Sequence, residues 1–285
     1  MSTSDQEQVV RPVAAAPPAG RRRTRTTRAP VALLVPAAAG LAFLVLPLLG
    51  LILRTPWSTL PQRLTAPGVL TALRLSLETA SLATLVCVAL GVPLAWLLAR
   101  IDFPGRRIVR ALVTVPLVLP PVVGGVALLL VFGRNGLLGA QINTWFGVSL
   151  PFTTPAVVVA ESFVAMPFLV IAVEGALRGA DTRFEEAAAT LGAGRWTTFR
   201  RVTLPLVAPG IAAGAVLCWA RALGEFGATI TFAGNYPGTT QTMPLAVYLS
   251  LESGDLDAAM VLSLILLTVS VTILASLRDR WITSP

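Results

Sequence analysis

The sequence predicts an all-α protein, a polytopic membrane helical bundle of six transmembrane helices. Three observations predict it. The 285-residue chain is 55% hydrophobic and only 13% charged, about half the charge of an ordinary soluble domain. Several apolar runs approach the ~20 residues that cross a bilayer as a helix. The arginines alternate between dense and sparse connecting segments, as the positive-inside rule requires.

The first thirty residues are rich in Ala, Pro, Thr and Arg and carry RRRTRTTR from Arg21 to Arg28. They lack an apolar pattern and read as a disordered basic tail. The apolar run that follows continues to Leu53. That is too long for a cleaved signal sequence, so it reads as an uncleaved first span. Residues 31–285 form a single transmembrane domain, with its core over about 69–277. The six spans are placed at 31–53, 69–99, 108–132, 155–177, 206–233 and 258–277. Pro116, Pro120, Pro121, Gly124 and Gly125 interrupt the third span, Pro93 the second and Pro167 the fourth. Such breaks require neighbouring helices to satisfy freed backbone groups, so these spans should bundle together. A kink for packing and a bend around a pathway both fit the third span.

Arginine orients the spans. The tail, the segment after span two (Arg100, Arg106, Arg107) and the segment after span four (Arg178, Arg183, Arg195, Arg200, Arg201) fall on one side with Arg278 and Arg280. The opposite side has Arg54, Arg63 and Arg134, and its last loop carries Glu252, Asp255 and Asp257 without Arg. Both termini of this multi-pass chain are therefore expected on the cytoplasmic side of the membrane. This distribution accounts for the net charge of +8 through the bilayer, with no role for nucleic acid.

Composition excludes several chemistries. Every basic residue is Arg, and the chain has no Lys and no His. A P-loop ATPase needs the Lys of its phosphate loop, and HExxH sites and Ser-His-Asp triads need His. No enzyme activity, cofactor or metal site is expected. Cys87 and Cys218 lie in apolar runs and read as small buried hydrophobes.

One polar segment separates spans four and five: EAAATLGAGRWTTFRRVTLP, from Glu186 to Pro205. Thr182 and Glu185 have capping-box spacing. Ala187, Ala188 and Ala189 favour helix, and Gly192 and Gly194 stop it. A second stretch places Trp196, Phe199 and Val202 along one side, and Leu204-Pro205 closes it. A short capped helix outside the membrane has the character of a docking surface for a soluble partner.

These residues resemble a known pattern. Glu186-Ala187-Ala188, three residues, Gly192, nine residues and then Val202-x-Leu204-Pro205 resembles the EAA loop of bacterial ABC importer permeases, with Val202 where Ile is usual. The stretches VPLVLPPVVGG (Val115 to Gly125), ARALGEFGATITFAGN (Ala220 to Asn235) and PGTTQTMPLAVY (Pro237 to Tyr248) are similar to the molybdate permease branch. Sulfate permeases look similar around GEFG. The resemblance covers roughly Val69 to the C-terminus. It implies the type I ABC importer permease fold and import of molybdate or tungstate, with sulfate or thiosulfate as the alternative. It implies as partners two separate ABC ATPase subunits, an extracytoplasmic oxyanion-binding protein and a second copy of this chain. Glu185, Glu186, Ala187, Ala188, Gly192, Leu204 and Pro205 would then form the ATPase-coupling element.

Charges inside spans mark a second candidate site. Arg221 and Glu225 are four apart in the fifth span, so one helix face carries both. Intramembrane charges face a bundle interior or water. A mutually neutralising structural pair and a pair bordering an oxyanion path both fit. Pro120, Pro121, Arg221, Gly224, Glu225, Phe226 and Gly227 are the pathway candidates. Arg74 and Glu78 read as a surface or interhelical pair, and Glu161 has no partner visible in sequence. The segment 234–257 carries an apolar run too short to span, which lies at the membrane surface or re-enters.

Overall fold

The computed structural model describes residues 31–282. The predicted tail, 1–30, lies outside the described residues. Contacts divide the chain into two units, 1–49 and 50–285. The first unit contains most of α1 (Val31–Arg54), a helix with Pro36 and Pro47 inside it. Residues 32–50 are all exposed, and their uniformly apolar surface suits lipid.

The second unit is helical among its described residues. Its elements are α2 (Leu60–Leu64), α3 (Pro67–Arg100), α4 (Arg106–Val118), α5 (Pro121–Phe132), α6 (Gly139–Phe146) and α7 (Thr154–Gly179). Then follow α8 (Arg183–Thr190), α9 (Arg195–Thr198), a π-helical turn (Phe199–Thr203), α10 (Leu204–Leu223), α11 (Gly227–Phe232), α12 (Met243–Glu252) and α13 (Leu256–Ile282). Five helical stretches are long and apolar enough to cross a membrane; α4 and α5 together make a sixth if they count as one span.

The core is a sandwich of α3, α7 and α10. Lipid is as apolar as Leu, so helices in a membrane associate through close packing rather than escape from water. The residues here meet that demand. Ala80, Ala83, Ala95, Ala165 and Cys87 are fully buried around Leu98, Leu169 and Leu177. Pro93 and Pro167 do not interrupt their helices, because α3 and α7 run through them. The expectation of breaks there is corrected, as packing on both flanks holds the helix through a missing N–H.

Two other breaks are real, although Pro116 lies inside α4 and Gly124 and Gly125 inside α5 without interrupting them, against expectation. Between α4 and α5 the chain turns by 117°, at Leu119 and Pro120, both extended. The residue before a proline avoids the helical region, which explains why two adjacent prolines turn the chain here. The fifth span also departs from expectation. α10 ends at Leu223, and α11 starts only at Gly227, so the predicted continuous helix over 206–233 is two pieces. At its other end, Leu204-Pro205 does not close a helix. The N–H of Leu204 bonds Phe199 O in the wider π register, and helix continues from Arg195 to Leu223. A proline ring clashes with the carbonyl four residues back, and the π turn relieves that clash without ending the helix.

The two breaks meet. A Cβ on Gly227 would lie 2.9 Å from Pro121 Cβ and 3.1 Å from Val122 N. A Cβ on Gly125 would collide with Thr231 Oγ1 and come within 2.8 Å of Ala228 O. α5 and α11 therefore touch backbone to backbone, which only glycine permits here. Gly125→Val is expected to force α5 off α11 and lower stability by about 1–3 kcal/mol. A lowered thermal midpoint of the purified chain, absent in Gly68→Ala where the added carbon meets nothing, is the check.

Beyond α11, the segment 234–242 leads into α12, which packs on α13 and α3. Met243 and Leu245 of α12 are fully buried, and Met243 N donates to Ser76 Oγ at 2.7 Å. The apolar run in this segment is thus a helix built into the bundle. α2 is tied to the same end by Arg63, which reaches Asp255 at 3.1 Å and Asp257 at 3.9 Å. The Ala258 N–H and the Arg63 guanidinium hold the Asp255 carboxyl below its ordinary range.

Candidate coupling surface and buried ion-pair core

α8 is the first candidate surface. It starts after Asp181, whose carboxylate accepts from Arg183 N at 3.0 Å. The predicted capping box does not form. Thr182 makes no side-chain cap bond, and Glu185 turns elsewhere. Its Oε1 accepts from Arg100 NH2 at 3.1 Å and from Thr203 Oγ1 at 3.0 Å. A guanidinium is a stronger partner than a backbone N–H for a carboxylate shielded from water. Side chains of Arg100 and Glu185 are 14% and 21% exposed, so the pair is largely screened from solvent. The π turn places Thr203 in this contact. Glu185 thereby fastens α8 to the ends of α3 and α10.

α8 ends as predicted at glycine. Gly192 has φ +82°, Gly192 N bonds Ala189 O, and Ala193 N bonds Ala188 O. This is the Schellman pattern, which L side chains adopt only with strain. Trp196 stacks on Phe199, and Phe199 packs edge-on against Trp96 of α3, each at 5.7 Å. A pocket of about 330 Å³ lies between α8 and this aromatic base, lined by Trp96, Arg100, Ala189, Ala193 and Phe199 among others.

The outer side of α8 is the notable one. Glu186 and Ala187 are exposed. Phe184, Leu191 and Trp196 are 57%, 88% and 71% exposed. They belong to a polar segment that is too charged to enter lipid. Exposed large apolar side chains on such a segment make it a candidate surface for binding another protein. Sequence reasoning named Trp196 but missed Phe184 and Leu191, although both flank the alanine run. It also missed Arg100 and Thr203, which are distant in sequence and meet α8 only in the fold. Leu204 and Pro205 belong to α10 and are not among the groups that hold α8.

The second candidate site is the break after α10. Arg221 NH2 lies 2.7 Å from Glu225 Oε2, so the expected pair forms. Its setting differs from expectation. Glu225 lies past the helix end, and its Oε1 accepts from Ala228 N at 2.7 Å. One carboxylate therefore neutralises the last turn of α10 and caps the first turn of α11. A carboxylate there also complements the positive end of a helix. Glu225 is 1% exposed, whereas the Arg221 side chain is 27% exposed. The guanidinium thus retains an open side while its partner is enclosed. Phe226 packs on Tyr248 of α12 at 4.9 Å. Gly227 lies against Pro121, so the pathway candidates Pro120, Pro121 and Gly224 to Gly227 flank two breaks that touch.

Glu161 of α7 gains a partner that its own sequence neighbours do not supply. Thr79 Oγ1 donates to its Oε1 at 2.9 Å. Its second oxygen meets no protein partner among the described residues. Cys87 and Cys218, on different spans, meet within the α3–α7–α10 core. No cluster of His, Cys, Asp and Glu suited to a metal ion occurs among the described residues.

The profile of the family described as "Binding-protein-dependent transport system inner membrane component" matches residues 91–284. The molybdenum transport system permease protein of Mycobacterium bovis is 48% identical over 246 residues, which cover 86% of this chain and 92% of that protein. Its Escherichia coli counterpart is 43% identical over 213 residues, 74% of this chain and 92% of its own. The sulfate transport system permease protein CysT of Escherichia coli is 35% identical over 238 residues, 82% and 86% of the two chains. Among solved structures, a chain of a bacterial ABC transporter that imports the acidic polysaccharide alginate superposes with a TM-score of 0.73. It is 21% identical, with coverage of 89% of this chain and 96% of that one. The fold is therefore shared well beyond close relatives.

Proposed function

Since the chain belongs to the family of binding-protein-dependent transport-system inner-membrane components, we propose that it is the membrane permease subunit of an ATP-driven molybdate importer. Molybdenum permeases are similar to it at 41–48% identity, and sulfate permeases at 35–36%. That difference favours molybdate, or the near-isosteric tungstate, over sulfate. ATP hydrolysis belongs to partner subunits, consistent with a chain that lacks the phosphate-loop Lys. The observation that carries the coupling role is α8: an anchored helix with an apolar, solvent-facing side.

In this mechanism α8 sits in a groove of the ATPase, with Ala187 and Ala188 permitting close approach and Glu186 free to pair with a basic group. Movement of the ATPase passes through the Glu185–Arg100–Thr203 contact into α3 and α10. α10 ends at the Arg221–Glu225 pair, so a push on one end of that helix reaches the break at the other. Arg221 offsets the desolvation of a passing oxyanion, while Glu225 prevents a site tight enough to trap it. A second copy of the chain forms the other wall of the path. An extracytoplasmic oxyanion-binding protein delivers the anion at the end formed by α2 and α12. The arginine-rich end, with α8, faces the cytoplasm.

The test is labelled molybdate uptake in a strain lacking this gene, with and without the chain restored. Uptake should return with the chain, depend on ATP and resist excess sulfate. Competition by equimolar sulfate would move the assignment to the sulfate branch. Uptake driven by an ion gradient without ATP would refute the proposal.

A further inference from the structure

Beside α8, but separate from it, four arginines converge on one cavity of about 650 Å³. Its lining includes Arg106, Arg107, Arg110 and Arg178, with Asp102 and Gly105. The arginines come from the first turns of α4 and the last turn of α7. Part of their charge is already used. Arg110 and Arg178 share Glu174 Oε1 at 2.6 and 2.7 Å, and Arg106 pairs with Asp102. Arg106 Nε and Arg110 NH2 also donate to Leu98 O at the end of α3, at 2.8 and 3.2 Å. Four guanidiniums thus face two carboxylates, and Arg107 has no ion-pair partner among the described residues.

A surplus of positive charge gathered in a concavity raises the local concentration of anions. The first turn of α4 adds to this surplus. It carries no acidic residue and two arginines, at the helix end where the peptide dipoles are already positive. Guanidiniums in a fork arrangement match tetrahedral phosphate. The same helix also indicates where the phosphate comes from. Ile108, Leu112 and Val115, at helical spacing, are 66%, 62% and 41% exposed. They form an apolar track that leads from the cavity along α4. A free ion needs no such track, and a lipid with a phosphate head and acyl chains needs both parts.

We propose that this cavity binds a phosphate-type oxyanion, supplied by the headgroup of an anionic phospholipid whose chains lie along α4. The lipid then joins α3, α4 and α7 at the membrane–water boundary. The inference rests on the membrane setting of the bundle and is independent of what the chain transports.

The test uses the full-length chain purified in a non-ionic detergent. The probes are phosphatidylglycerol, phosphatidylcholine and inorganic phosphate, and the readouts are thermal midpoint and lipid retention by native mass spectrometry. Phosphatidylglycerol should raise the midpoint and remain bound, and phosphatidylcholine should not. Arg107→Gln, which removes no hydrogen bond or ion pair among the described residues, should weaken apparent affinity roughly fivefold. Arg74→Gln, far along α3 from the cavity, should change nothing. Equal effects of phosphatidylglycerol on all three proteins, or none on any, would overturn the proposal. If inorganic phosphate alone reproduces the shift and displaces the lipid, the site serves a free oxyanion and the lipid assignment fails.

Discussion

Leu191→Asp is expected to uncouple transport while leaving the bundle intact. Leu191 is 88% exposed and touches none of the core, so the substitution should not alter folding. If α8 enters an ATPase groove, Leu191 becomes buried there. Burial of a leucine side chain is worth about 1.5–3 kcal/mol, and placing a carboxylate in an apolar groove adds a further cost. Affinity for the ATPase should fall by at least ~10-fold, since 1.4 kcal/mol is tenfold. Molybdate uptake should fall with it. Phe184→Ala should act in the same direction, and the effects of the two should not simply add if one groove receives both. Measurement is by co-purification of the ATPase subunit with the tagged permease, alongside uptake. Wild-type co-purification in both variants would remove α8 as the docking element. Glu185→Ala is informative by contrast. It should leave the outer apolar side in place but release α8 from Arg100 and Thr203, so ATPase binding persists while transport fails.

The second large effect concerns the buried pair. Arg221→Ala leaves Glu225 enclosed at 1% exposure without its cation. Removal of one partner of a buried pair costs about 3–5 kcal/mol, because the remaining charge stays uncompensated. Arg221→Ala should therefore lower the yield of folded chain and its thermal midpoint sharply. Glu225→Gln should cost less. The amide oxygen can still accept from Ala228 N, and the Arg221 side chain is only partly enclosed by the chain, at 27% exposure. The two variants thus separate the structural role from the transport role. Folded Glu225→Gln with faster or slower anion passage places the pair on the path. Folded Glu225→Gln with normal uptake at all molybdate concentrations makes the pair purely structural, as does an Arg221→Ala/Glu225→Ala variant that folds and transports fully.

Much of the fold was legible because membranes simplify the problem. Every backbone group in lipid must bond within its helix, so apolar runs become helices. The runs at α1, α3, α7 and α13 needed no further information. The turn between α4 and α5 was legible too, because proline at 120 and 121 removes donors and restricts the preceding residue whatever surrounds it. Pro93 and Pro167 have the same chemistry but no such effect. A buried helix flanked by others tolerates one lost bond, and those flanking helices are far away in sequence. The end of α10 was hidden for a related reason. The contacts of Glu225 with Arg221 and Ala228 N are local, but the break also sets Gly227 against Pro121 and Val122 of α5, which are distant in sequence.

The candidate surfaces divide in the same way. The alanine run, Gly192 and the polarity of the segment determined α8, since helix propensity and a left-handed turn are local properties. The sequence by itself also determined the lack of lysine and histidine chemistry and the segregation of arginine. Only the tertiary structure decided what Glu185 binds. A capping box was available locally, but Arg100, 85 residues earlier, offered a charged donor in a site shielded from water. The pairing of Glu161 with Thr79, the sharing of Glu174 between two arginines and the arginine cavity at α4 were decided likewise. Each depends on which helix segments come within a few ångströms of one another, and electrostatic energy at that range depends on distances that spacing along a chain does not contain.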